Sequence, residues 1–263
     1  MPFRTLVYVP EKNEFYSLPE MVGFEPEIPL AFSCRGNLFL VSREIHRAQC
    51  FYPELNCWSP APWTKTDSCL ELLPDGHWLI AVLVVENQIY FFSEHEGIPE
   101  KPTWFSKYDL DANSIVPSMH LLDKTDVCFV AVNKQIYTIG GCKVNNFREI
   151  IEFLKECKRF EPGASEWQGI ANLQEPRRGA YGVGTHDKIF IPGGTGSDMR
   201  GLQGCEMYSV ETDEWHFMGS LTSNHVCFGN MMLVDGYLYV LCGDWYYEDH
   251  ERTVEHYNHE EDE

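Results

Sequence analysis

The sequence predicts an all-β fold made of one four-stranded antiparallel unit repeated along the chain. Three observations predict it. An aromatic residue is followed seven positions later by a second large apolar residue at Tyr8/Phe15, Phe51/Trp58, Tyr108/Ile115, Phe160/Trp167 and Tyr208/Trp215, and Tyr257 opens a sixth such pair. The first members lie 43, 57, 52, 48 and 49 residues apart, and a period of about fifty residues marks one supersecondary unit used again and again. Between the aromatics run short apolar segments bounded by Gly, Pro, Asn or Asp, the signature of strands and turns. The longest of them, Trp78–Val85, stops at Glu86, well short of the ~18 residues that a bilayer span needs.

The unit is best preserved at 180–218. Ala180-Tyr-Gly-Val-Gly184 is a small-residue strand followed by a His186-Asp187 turn. Lys188–Ile191 is β-branched and aromatic and ends at Pro192-Gly193-Gly194, where the chain needs backbone angles that a Cβ opposes. A third strand carries Tyr208, and the acidic turn Glu211-Thr-Asp213 leads to a fourth that starts near Trp215. Strands this short are unstable alone, so the units must stack face to face, and closing the stack into a ring protects its edges. Tyr208 and Trp215 are then expected to fill the wedge between neighbouring sheets. The units fall at about 5–20 (partial), 30–62, 79–117, 127–170, 180–218 and 228–257 (partial), with an acidic tail at 258–263.

Composition excludes several classes. The chain has 263 residues, 44% hydrophobic and 14% aromatic, enough for a substantial core. Its net charge of −20 opposes a nucleic-acid backbone or an anionic membrane as partner. Met1-Pro-Phe-Arg-Thr-Leu6 lacks the charged and apolar regions of a secretory signal. The ten cysteines are scattered, and Cys34, Cys128, Cys227 and Cys242 sit inside apolar strand patterns, so they read as reduced core thiols of a cytoplasmic or nuclear protein. Cys50/Cys57 and Cys142/Cys157 are the pairs that spacing leaves open.

The pattern Ile139-Gly140-Gly141…Phe160…Trp167, and again Pro192-Gly193-Gly194…Tyr208…Trp215, resembles the Kelch repeat over about residues 6–257. Leu241-Cys242-Gly243…Tyr257 keeps one glycine. Val41-Ser42-Arg43 and Phe92-Ser93-Glu94 replace the glycine pair in the two N-terminal units, and Ile115 replaces the tryptophan, so those units are expected to keep the sheet and alter the loop after its second strand. The resemblance implies a single β-propeller domain over 1–263, which composition alone does not separate from a sandwich. Strand signals run as two, then four full units, then three, which favours a six-blade pattern trimmed at both ends, with five closed blades as the alternative.

Little in the sequence suggests chemistry. Gly193-Gly-Thr-Gly196 lacks the lysine and helix of a phosphate loop, and no Gly-x-Ser-x-Gly elbow occurs. His250, His256 and His259 beside Glu251 and Glu255 match no metal template, and the remaining histidines stand singly at turns and strand ends. Some Kelch-like propellers are copper oxidases with a Cys–Tyr cofactor and histidine ligands, a set not identifiable here. The expectation is a non-enzymatic chain with no cofactor and no metal.

The resemblance places a binding mouth at the loops after the second strands (42–49, 93–104, 141–156, 194–204, 243–253) and between units (59–78, 118–127, 172–179, 219–226). Against an acidic body these hold Arg43, Arg47, Lys143, Arg148, Arg177, Arg178 and Arg200, with Trp63, Trp104, Phe105, Trp245, Tyr246 and Tyr247. Arginine with tryptophan and tyrosine is the composition of interface hot spots. Such a mouth would attract an acidic peptide segment of a substrate protein, although Glu149, Glu175 and Asp198 stand near enough to pair with several of the arginines. Asn146–Glu149 resembles a helix capping box, and Phe147, Ile150, Ile151 and Leu154 follow at helical spacing, which predicts a short helix with a strand extension as the alternative. The whole is similar to the substrate-binding Kelch half of a BTB–Kelch adaptor, which implies a cullin-RING ubiquitin ligase reached through a BTB domain outside these residues. An actin-binding scaffold is the alternative function, and a galactose-oxidase-like enzyme the third. By the same reading Gly140, Gly141, Phe160, Trp167, Gly193, Gly194, Tyr208, Trp215, Gly243 and Tyr257 are structural.

Overall fold

The computed structural model describes residues 5–9, 12, 14–21, 29–43, 47–65, 73, 76–95, 103–122, 124–145, 147, 149–222, 230–241 and 254–258. The chain divides into two compact units, Met1–Leu121 and Leu122–Glu263. None of the described residues forms a helix long and apolar enough to cross a membrane.

The first unit opens with a hairpin, β1 (Leu6–Val9) and β2 (Glu14–Ser17). A four-stranded antiparallel sheet follows: β3 (Leu30–Cys34), β4 (Asn37–Val41), β5 (Ala48–Tyr52) and β6 (Cys57–Pro60). After a short 3-10 helix at Pro62–Lys65, a second four-stranded sheet runs through β7 (His77–Val85), β8 (Gln88–His95), β9 (Thr103–Asp109) and β10 (Ser114–Leu122). In both sheets the strands pair in chain order. The seven-residue spacing is thereby explained: Phe51 stands directly opposite Trp58 across β5 and β6, with ring centres 5.2 Å apart. Core packing gathers on Trp63, fully buried between Phe39 (5.5 Å), Phe91 (5.3 Å) and Tyr108 (5.6 Å).

The second unit holds two more four-stranded sheets. One contains β11 (Cys128–Val132), β12 (Gln135–Ile139), β15 (Cys157–Phe160) and β16 (Gln168–Ile170), with a hairpin of β13 (Cys142–Val144) and β14 (Ile150–Phe153) inserted after its second strand. The other contains β17 (Val183–Gly184), β18 (Lys188–Ile191), β19 (Gly204–Ser209) and β20 (Glu214–Ser220). A three-stranded sheet, β21 (Asn230–Val234), β22 (Tyr237–Leu241) and β23 (Val254–Asn258), completes the series. The expected aromatic pairs recur: Phe160 and Trp167 are stacked at 5.1 Å, and Tyr208 lies opposite Trp215 at 5.1 Å. Small residues sit on β17 because its neighbour is close. A Cβ on Gly184 would lie 2.7 Å from the Ala131 carbonyl of β11.

Five blade sheets are therefore present among the described residues, four of four strands and one of three, with β1–β2 as a separate hairpin. This matches the five-blade alternative and corrects the preference for a trimmed six. The helix expected at 146–154 is also corrected. Asn145 Oδ1 accepts the amides of Phe147 (2.9 Å) and Glu149 (3.0 Å). Asn145, one residue before the expected cap, thus closes the turn of the β13–β14 hairpin. Ile151 is the extra residue of a bulge there, since Lys143 faces Glu152 and Val144 faces Ile150.

Candidate functional site

In the second unit the loops after β12 and β18 are tied into place by backbone hydrogen bonds, and the glycine pair makes this possible. Gly140 and Gly141 follow β12 with φ of +61° and +98°. Gly141 N donates to the Arg177 carbonyl at 2.9 Å, and Thr125 and Cys142 exchange two bonds of 2.9 Å. A Cβ on Gly140 would stand 2.4 Å from the Arg177 oxygen. The next blade repeats the device, with Gly193 and Gly194 at φ +58° and +90° and Arg178 and Thr195 exchanging bonds of 3.1 and 3.0 Å. The first turn thus passes beneath the segment that leads to the following blade, and the second is bridged, as Cys142 is by Thr125, to the segment that enters its own blade. Gly140→Ala is expected to cost about 1–3 kcal/mol through backbone strain and crowding. A drop in urea midpoint measures it, and an unchanged midpoint would refute the packing role.

Onto this frame the structure places the predicted binding residues unequally. Arg177 is not presented to a partner, which corrects the expectation. Its Nη1 donates to the carbonyls of Gly193 (2.6 Å) and Gly204 (2.9 Å), and its Nη2 meets Glu206 Oε1 at 2.7 Å, with both side chains at 0% exposure. Glu206 in turn accepts the amides of Gln174 (2.7 Å) and Glu175 (3.1 Å). Arg178 is partly open and pairs with Asp126 at 2.6 Å, side-chain exposures being 26% and 40%. Arg200 is open, at 85%, with Asp198 at 3.9 Å; a contact that long and wet contributes little. Lys143 pairs with Glu152 at 2.7 Å along the β13–β14 hairpin. Phe147 is exposed at the tip of that hairpin.

In the first unit Arg47 is exposed, and the guanidinium of half-buried Arg43 lies 4.9 Å from the centre of the Trp78 ring, a cation–π distance. Trp104 is half-buried, its ring 6.1 Å from His77. Trp63 and Phe105, expected on the loops, belong to the core. Arg148, Trp245, Tyr246, Tyr247 and Gly243 lie outside the described residues. Loop residues that the sequence reading passed over come together here. His77 and His95 stand opposite one another on β7 and β8, ring centres 5.2 Å apart, with Ser93 Oγ 3.4 Å from His77 Nδ1. Counting outward from the Glu86–Asn87 turn misses the pairing by one residue, because a bulge between Leu79 and Ala81 shifts the register.

Among the described residues no group of three His, Cys, Asp or Glu is arranged to hold a metal ion. Cys34, Cys50, Cys57, Cys128, Cys142, Cys157 and Cys205 are free thiols, so neither of the two open pairings forms a disulfide. Burial pushes the Cys157 thiol up to about 12 and raises Cys128 as well. Such thiols stay protonated and act as small apolar side chains. Burial also holds the Lys124 ammonium below its ordinary value beside Glu156, 3.3 Å away.

Antiparallel blades whose strands pair in chain order, glycine pairs at positive φ after the second strand and aromatics stacked across the outer strands define a Kelch-repeat β-propeller, an all-β fold. Known proteins agree. Kelch-like protein 41a of Danio rerio is 28% identical over 115 residues, 43% of this chain and 18% of the relative. Kelch-like protein 23 of Homo sapiens is 27% identical over 154 residues, 55% of this chain and 25% of the relative. An F-box/kelch-repeat protein of Arabidopsis thaliana is 27% identical over 131 residues, 49% and 34% of the two chains. The matched part is thus well under half the length of these relatives. No family model matches the chain. Fold and relatives together support a Kelch domain for protein–protein interaction.

Proposed function

We propose that the chain recognises an acidic segment of a substrate protein through the loops that follow its second strands, as the substrate-binding part of a cullin-RING ubiquitin ligase adaptor. One observation carries the reading: exposed Arg200 stands on a loop closed by the Gly196–Arg200 and Leu202–Gly194 backbone bonds, and exposed Arg47 accepts the Ser42 amide, while the chain as a whole has net charge −20. Fixed loops lose little entropy on binding, and local positive charge on an acidic body selects acidic segments and repels most others. Kelch-like relatives support the adaptor role, which would place the protein in the cytoplasm or nucleus, without cofactor or metal and without nucleic-acid or membrane partners. The cullin contact would be made by a BTB domain.

The test is capture from cytosol of cells whose cullin-RING ligases are inhibited, comparing the natural chain with Arg47→Ala/Arg200→Ala. A protein that accumulates on inhibition, binds the natural chain and is lost at least tenfold from the variant is the expected result. Finding no such protein would overturn the ligase reading. Co-sedimentation with actin filaments would replace it with the scaffold alternative.

A further inference from the structure

The loops after β12 and β18 are closed in the same way. Leu154 N donates to the Gly141 carbonyl (2.9 Å), and Leu202 N to that of Gly194 (2.8 Å). Further out, Asn145 N donates to the Glu149 carbonyl (3.0 Å), and Gly196 N to that of Arg200 (2.9 Å). A side-chain oxygen completes each tip. Asn145 Oδ1 accepts the amides of Phe147 and Glu149, and Asp198 Oδ1 accepts that of Arg200 at 2.9 Å.

Each closed tip holds a large apolar side chain in water. Phe147 is 84% exposed and Met199 is 58% exposed. The β18 loop is buried as far as Gly196 and open from Ser197 to Arg200. Within that open stretch Met199 has φ of +63°, and it is the one apolar side chain among the described non-glycine residues at positive φ. A glycine adopts this region without cost, and a bulky side chain does not. Folding alone therefore favours glycine at 199, and an exposed methionine held there in strain points to a contact made outside the chain. The residue that follows is Arg200, its side chain 85% exposed. A polarizable apolar side chain and a guanidinium thus stand side by side on one fixed tip.

Resting on the acidic-segment reading above, we infer that the β18 loop recognises an acidic segment carrying a bulky aliphatic or aromatic residue beside its carboxylates. Met199 takes the apolar side chain and Arg200 the carboxylate, and Phe147 offers a second apolar contact on the preceding blade. Charge alone does not choose among acidic segments, because an exposed ion pair contributes little. An apolar side chain packed on Met199 excludes water from the adjacent pair and adds the selectivity. The net charge of −20 leaves uncharged or basic apolar segments without that pair or repelled by the body.

The test uses the full chain and three short fluorescein-labelled peptides, read by anisotropy. The first has a central leucine flanked by glutamates on both sides. The second has serine in place of the leucine, and the third has glutamine in place of the glutamates. The leucine–glutamate peptide is expected to bind saturably and at least tenfold more tightly than either of the others. Met199→Gly suits the backbone and removes the side chain, so it should weaken that peptide at least threefold without lowering Tm; Arg200→Ala should weaken it at least as much. Equal binding of the leucine and serine peptides, or unchanged binding by Met199→Gly, overturns this inference and leaves the acidic-segment reading standing. Equal binding of the glutamate and glutamine peptides, or no saturable binding by any of the three, overturns both.

Discussion

Arg177→Ala is expected to destabilise the Leu122–Glu263 unit by about 3–5 kcal/mol, the cost of leaving one member of a buried ion pair without the other. The guanidinium closes three contacts, to the Gly193 and Gly204 carbonyls and to Glu206. Removing it strands a carboxylate with no solvent exposure. Lysine should not rescue, because a single ammonium cannot reproduce the fork. Replacing both partners, as Arg177→Met/Glu206→Leu, should restore only part of the loss. The amides of Gln174 and Glu175 would then lack the acceptor that Glu206 now gives them. Urea unfolding followed by far-UV circular dichroism measures the effect. A loss below about 1 kcal/mol would show that water replaces the pair at little cost.

Trp63→Ala is the second large effect, also about 3–5 kcal/mol, and it falls on the first unit. The indole is fully buried, stacked near Phe39 at 5.5 Å and met edge-on by Phe91 and Tyr108. Its removal opens a cavity among rings that cannot collapse into it, since each is fixed on its own strand, β4, β8 or β9. Trp63→Phe should keep most of the stability by retaining a ring in the same place. Hydrogen exchange is the measurement of choice, because the loss should appear in the amides of β4 and β8 and leave β12 and β18 protected. Uniform loss of protection, or none, would contradict the assignment of Trp63 to this core.

These two residues also show where sequence reasoning ended. The strands and their aromatic partners were legible because both depend on local spacing: a turn between β19 and β20 places Tyr208 against Trp215 whatever surrounds them. Trp63 and Arg177 lie on linkers between blades, where chain direction is set by sheets distant in sequence. Nothing near Arg177 in the sequence announces Glu206 as its partner. Both read as loop residues of interface composition, and both proved to be packing. Asn146–Glu149 failed in the opposite way: its polar spacing was read as a helix cap, but the side chain that satisfies two amides is that of Asn145, and it serves a hairpin turn. Of the candidate site, the open arginines Arg47 and Arg200 were visible as charge against an acidic background. The His77–His95 contact required knowing the strand register.

The clasp between successive blades of the second unit has a consequence for how the protein is made. Trp215 holds the Ala171 carbonyl, and Glu206 holds the amides of Gln174 and Glu175. The segment that seals the β11–β16 sheet is thus fastened by groups encoded 31 to 44 residues later. On a ribosome the earlier blade emerges with its linker still undone and with Tyr208 and Trp215, which close the wedge beside it, not yet in place. It settles only when its successor clears the exit tunnel. Maturation therefore proceeds one blade in arrears of synthesis, and a pause in translation between Arg177 and Trp215 would hold a sticky, unfinished sheet in the open.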